Sequence, residues 1–200
     1  MFRVGLTGGI ASGKTTVSRL FEKLGVPIVD TDVISRKLLD PGEAAYEQVV
    51  SHFSEKILGP DGAIDRPGLR ALVFSDSQQK VWLEQTLHPL IYRRSQEAMA
   101  ACTDTEYVLL VVPLLFETGF QSLVDRVLVV DCPREQQIRR LMRRDSIDEQ
   151  LAIKMLEQQM DGVERVSRGD DVIENDDDST DLEQRIAKLH QYYLKLADAG

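Results

Sequence analysis

The segment Gly8-Gly9-Ile10-Ala11-Ser12-Gly13-Lys14-Thr15 constrains this chain more than any other part of it. It fits G-x-x-x-x-G-K-[ST], and its flanks give it a structural context. Before it, Phe2 to Thr7 is a short apolar run bounded by glycine, the pattern of a buried strand. After it, Val17, Leu20, Phe21 and Leu24 recur at helical spacing, and Gly25 supplies a stop. Val26 to Val29, closed by Asp30, reads as a second strand. Strand, helix and strand in such close succession form a βαβ unit, with parallel strands and a right-handed crossover. The glycines between strand and helix let several N–H groups converge on an anion, and the helix dipole adds to that attraction. At average glycine usage a chance match is expected in roughly one chain of this length in a hundred, and the flanking elements make chance rarer.

The rest of the chain fits an α/β plan with one long interruption. Residues 31–106 contain no clear strand. They break at Pro41-Gly42, at Gly59-Pro60-Asp61-Gly62 and at Pro89, with helix-like segments between. This is too long for an ordinary crossover and reads as a helical insertion. Strand character resumes at Tyr107 to Val112 and at Arg126 to Val130, both rich in Val and Leu without alternation, as strands covered on both faces should be. Pro133 to Arg144 and Ile147 to Met160 read as helices, and Val172-Ile173 as a short strand. A last helix places Leu182, Ile186, Leu189, Tyr193 and Leu196 on one stripe. The total is about five parallel strands with flanking helices.

Charge and composition narrow the function. The 200 residues carry 24 basic and 33 acidic side chains, a net charge of −9, which disfavours general nucleic-acid binding. The excess is local. Residues 161–183 account for −8, the remainder is near neutral, and residues 126–144, with six arginines, stand at +4. Asp178 and Asp181 fall in the expected first turn of the last helix, where acids suit the dipole. The longest apolar run, Tyr107 to Phe116, is ten residues and too short to span a bilayer. No signal core precedes the first strand, so the expectation is a cytoplasmic protein without membrane contact. Cys102 and Cys132 then read as reduced, small apolar residues, and the three histidines form no zinc-like cluster with them.

Three classes of phosphate-loop protein compete. A GTPase would carry an N/T-K-x-D segment, and none is present. A motor or transport ATPase would close a core strand with an acid pair, whereas the strands here run into Pro113 and into Asp131-Cys132. A small-molecule kinase needs a base, an acceptor pocket and arginines for the charge built up in transfer. Asp30-Thr31-Asp32, after the second strand, offers the base, with helix N-capping as the alternative role for either carboxylate. Arg134, Arg139, Arg140, Arg143 and Arg144 share one expected helix, where they serve phosphate or form a solvated face.

Taken together, these segments resemble the dephospho-CoA kinase family. The resemblance rests on Val4-Gly5-Leu6-Thr7-Gly8-Gly9-Ile10 with Ser12-Gly13-Lys14-Thr15, on Asp30-Thr31-Asp32 with Arg36, and on Leu87-His88-Pro89-Leu90-Ile91. It continues in Val112-Pro113-Leu114-Leu115-Phe116-Glu117, Val127 to Asp131, Arg139-Arg140 through Arg144-Asp145, Gln159, and Asp170-Asp171-Val172-Ile173-Glu174-Asn175. Thr31 and Gly169 stand where the family commonly has alanine.

The resemblance implies a P-loop kinase-type three-layer fold with a helical insertion and a helical lid. It implies a nucleotide-binding core in 1–30, 107–133 and 166–200, an acceptor-binding region in 31–106, and a lid in 134–165. The implied reaction is phosphorylation of the ribose 3′-hydroxyl of dephospho-CoA by ATP with Mg²⁺, the last step of coenzyme A biosynthesis. Asp32, Lys14 and Arg140 are the implied catalytic residues. Gly8 to Thr16, including Thr16 itself, with Arg139 and Asn175 would bind nucleotide, and Thr15 would ligate the metal. Asp32, Arg36, His88, Pro113, Leu114, Phe116 and Glu117 would meet the acceptor. The expected assembly is a monomer or weak homo-oligomer. A kinase for another small hydroxylated metabolite and a nucleotide-binding switch without transferase activity are the alternatives.

Overall fold

A computed structural model describes residues 1–176 and 181–199. Five strands form one sheet: β1 (Phe2–Gly8), β2 (Ile28–Asp30), β3 (Tyr107–Val111), β4 (Arg126–Asp131) and β5 (Asp171–Glu174). Their order is β2-β3-β1-β4-β5, and β1 pairs parallel with both β3 and β4, as β4 does with β5. The described helices are α1 (Lys14–Lys23), α2 (Thr31–Lys37), α3 (Tyr46–Phe53), α4 (Arg66–Ser75), α5 (Ser77–Ala100), α6 (Arg134–Asp145), α7 (Glu149–Glu157), α8 (Gly162–Arg168) and α9 (Leu182–Asp198). No described helix is long and apolar enough to cross a membrane.

By internal packing the chain divides into two compact units. One comprises Met1–Val29 with the chain from Met99 onward; the other is Asp30–Ala98. In the first unit the sheet is covered on both faces. Val4 and Leu6 of β1, Leu109 of β3 and Leu128 of β4 meet Val17 and Phe21 of α1 and Ile186 and Tyr193 of α9. On the opposite face a Cβ on Gly5 would come within 2.7 Å of Leu115 Cδ1, so only glycine admits that packing. Gly169, just after α8, also lies close to this face; its Cβ would meet Val129 Cγ2 at 2.5 Å. Val129, on β4, fills the space that a side chain at 169 would need. Burial on both faces is why the strands lack alternation.

The second unit is mainly helical. Its one bridge, Leu58 with Ile64, closes the Gly59 to Gly62 turn, where Gly62 takes φ 77°. Tyr46 Oη donates to the Gly62 carbonyl, and His52 stacks on Trp82 with centroids 3.6 Å apart.

Two expectations need correction. Pro89 does not break its helix; it lies inside α5. It is exposed, and so is Gln85, whose carbonyl loses its helical partner to the proline and can be hydrated instead. The helix expected over Ile147 to Met160 is present as α7, and a further helix, α8, which the sequence reading did not include, follows it. Asp161 caps α8, accepting from Val163 N and Glu164 N, so a new helix starts just past the expected end of the first. Asp181 is the N-cap residue of α9, not part of its first turn, and Asp178 lies outside the described residues. Neither cysteine forms a disulfide with another described residue, and Cys132 is buried.

Candidate active site

β1 ends at Gly8 and α1 begins at Lys14, so five residues turn the chain from strand to helix. Ala11 and Gly13 both take positive φ, 58° and 99°. At Gly13 glycine is required for a second reason: a Cβ would lie 1.9 Å from Asn175 Nδ2. That amide nitrogen donates to the Ser12 carbonyl at 2.7 Å, while Asn175 N donates to the Asp131 carbonyl at 2.8 Å. Arg140, on α6, donates to the Ser12 carbonyl at 3.4 Å and to the Asn175 carbonyl at 3.1 Å, and its Nη1 lies 3.3 Å from Cys132 Sγ. One flank of the loop is thus tied to the ends of β4 and β5.

The opposite flank is held by residues of α6, of α8 and of the turn between α7 and α8. A Cβ on Gly9 would meet Gln137 Nε2 at 2.8 Å and Arg165 Nη1 at 3.2 Å. Ile10 N donates to Gln159 Oε1 at 2.8 Å. Lys14 Nζ lies over the loop and donates to the carbonyls of Gly8 and Gly9 at 2.8 and 2.9 Å. Thr15 and Thr16 are exposed, and α1 has no acidic residue in its first turn, which leaves its positive end uncompensated locally. Beside Gly9 lies a cavity of about 650 Å³ whose lining includes Asp131, Arg134, Gln137, Gln159 and Arg165. Burial pulls the Arg165 guanidinium below its ordinary pKa; Glu117, Asp131 and Asp161 act the other way.

Gly8 to Thr16, Arg140 and Asn175 therefore come together in the first unit. Arg139 lies on the exposed side of α6. Arg134 pairs with Glu157 at 3.6 Å, and Arg144 with its neighbour Asp145 at 2.7 Å. In the segment after β3, Pro113 accepts a hydrogen bond from Thr7 Oγ1, Leu114 is exposed, Phe116 lies under Arg168, and Glu117 Oε1 accepts from Met160 N at 3.2 Å.

Asp30, Asp32, Arg36 and His88 belong to the second unit. Asp30 caps α2, accepting from Asp32 N at 2.8 Å and Val33 N at 3.3 Å. The capping role therefore falls to Asp30. Asp32 and Arg36 lie one turn apart on α2 and are exposed, with the Arg36 carbonyl accepting from Arg66; His88 is half-buried on α5.

Sequence reasoning missed Gln137 and Arg165. Gln137 stands one turn before Arg140 on α6, so its spacing was available. Arg165 was hidden because α8 was not foreseen, although Asp161 and Glu164 have the D-x-x-E spacing of a capping box.

The dephospho-CoA kinase family pattern matches residues 2–181. A dephospho-CoA kinase of Hahella chejuensis is 44% identical over 194 residues, covering 97% of this chain and 93% of that one. One of Yersinia pestis is 45% identical over 197 residues, covering 98% and 95%. The solved dephospho-CoA kinase of Campylobacter jejuni superposes with a TM-score of 0.73 at 31% identity, covering 96% and 97%. With its phosphate loop intact and the match running nearly end to end, the chain belongs to the dephospho-CoA kinase family.

Proposed function

We propose that this protein transfers the γ-phosphoryl group of ATP to the ribose 3′-hydroxyl of dephospho-CoA, giving CoA and ADP. The observation that carries the reading is the family match over residues 2–181. The loop geometry supports it: a glycine-built cradle at a helix N-terminus, with Lys14 in reach of the cradle's own carbonyls, suits a polyphosphate.

Lys14 would exchange the Gly8 and Gly9 carbonyls for phosphate oxygens. Arg140, already against Ser12, would add positive charge at the nucleotide, and Asn175 and Arg139 would complete its binding. Asp32 would orient the 3′-hydroxyl and accept its proton, since Asp30 is engaged as a cap. Arg36, His88 and the Pro113 to Glu117 segment would meet the acceptor.

The exposed Thr15 hydroxyl fits a Mg²⁺ that travels with the nucleotide. Among the described residues no group of three or more His, Cys, Asp or Glu could hold a metal unaided, and Mg²⁺ with phosphates needs only one or two protein ligands. When bound, the ion would neutralise charge on the β- and γ-oxygens. Transfer would then rest on positioning and charge, with α6 to α8 acting as a lid that excludes water.

ADP release with and without dephospho-CoA tests the reading. Turnover that requires dephospho-CoA is expected. Hydrolysis independent of acceptor, or preference for another hydroxylated metabolite, would overturn it.

A further inference from the structure

Arg165 is 6% exposed, and it is the one charged side chain among the buried described residues. No carboxylate oxygen of a described residue lies within 4.0 Å of it. A buried cation without an ion pair is costly, so its hydrogen bonds must matter to the arrangement around it. Its Nη2 donates to the Met160 carbonyl, in the turn between α7 and α8. The N–H of the same residue donates to Glu117. Met160 is thereby held on both sides, and the residue before it, Gln159, presents Oε1 to Ile10 N at 2.8 Å.

That amide belongs to the Gly9–Ile10 peptide. The carbonyl of this peptide, on Gly9, receives Lys14 Nζ at 2.9 Å. One peptide plane in the phosphate loop is therefore held at its oxygen by Lys14 and by Ser12 N, the latter at 3.1 Å, and at its N–H by Gln159. Glycine on one side of that plane makes its rotation cheap. If Lys14 turns to a bound phosphate, Ser12 N still holds the Gly9 carbonyl, and Gln159 is the side chain that continues to hold the N–H edge of the plane. We propose that Arg165 is a positioning residue for phosphoryl transfer, acting through Met160 and Gln159 on the Gly9–Ile10 peptide of the phosphate loop. The inference rests on the kinase reading above.

The test is a double-mutant cycle on Gln159→Met and Arg165→Met, with kcat, the KM for ATP and for dephospho-CoA, and the thermal midpoint measured for each. Displacing a reacting group by about 1 Å can cost about 10²-fold, so each single variant should lose about 10- to 10²-fold in kcat. The acceptor KM should stay within about 3-fold, because neither side chain acts on the acceptor in this scheme. The double variant should be no slower than the slower single, since both act through one contact. Multiplied losses in the double variant would overturn the proposal, as would kcat losses that merely track the unfolded fraction. Should Arg165→Met not fold, Gln159→Met decides alone: native kcat there overturns the proposal. Failure of the unmodified protein to use dephospho-CoA would instead defeat the kinase reading.

Discussion

Two aspartates two positions apart have different duties, and substitution separates them. Asp30→Ala removes a cap from α2 and should cost about 1 kcal/mol in stability, measured by urea unfolding, with no matching loss specific to the chemical step. Asp32→Asn should leave the cap intact and lower kcat by about 10²–10⁴-fold, with ATP binding retained by calorimetry. Near-native turnover in Asp32→Asn would remove it from the mechanism. A third residue is decided by space. At Gly13 the backbone φ of 99° and the Asn175 amide both reject a Cβ. Gly13→Ala should therefore abolish measurable ATP binding, whereas a variant that binds normally would show that the loop can yield there.

At the level of elements, much of the molecule was legible because burial leaves a periodic trace. The Val17, Leu20, Phe21 stripe gave α1, and unbroken Val and Leu runs gave β3 and β4, since those strands are covered on both faces. The phosphate loop was legible because its glycines are dictated by local backbone geometry and close approach. Elements defined by exceptions were less so. Pro89 looks like a stop but sits on an exposed side of α5, where a lost hydrogen bond can be hydrated. Gln137 and Arg165 reach the loop from remote segments; spacing places Gln137 on the face of Arg140 and marks the start of α8, but it does not show that either side chain meets Gly9. Gly169 is a further case, because the reason for glycine lies on β4. With Val129 in place, Gly169→Ala should destabilise the protein by about 1–3 kcal/mol through overpacking. Adding Val129→Ala should relieve that clash, so the double variant should lose less than the two singles combined. Strict additivity in urea unfolding would show that the contact carries no strain.

Across the whole molecule, charge is better described by where it sits than by its sum. The net −9 is concentrated near β5, and one ion pair joins the starts of two neighbouring strands that are far apart in sequence. Asp125, just before β4, accepts from Arg3 N at 2.8 Å, Nε at 3.0 Å and Nη2 at 2.7 Å. It thereby pins the beginning of β1 to that of β4 across most of the chain's length. The Arg3 hydrogen bonds hold its carboxyl below the ordinary value of 3.8, although partial burial opposes them. A carboxyl with a lowered folded-state pKa contributes stability above its unfolded value and loses it as pH falls through the folded one. The stability difference between the native protein and Asp125→Asn should therefore be full at neutral pH and shrink once pH falls below about 3.8. Because both side chains are partly exposed, the difference should also diminish in high salt. The pair stands where β1 and β4 begin, while the phosphate loop follows the other end of β1, so kcat should not change. Urea midpoints across pH and salt check this. A difference that is independent of both would mean that Asp125 acts through neutral hydrogen bonds alone, and a lower kcat would show that the sheet transmits strain from that end to the loop.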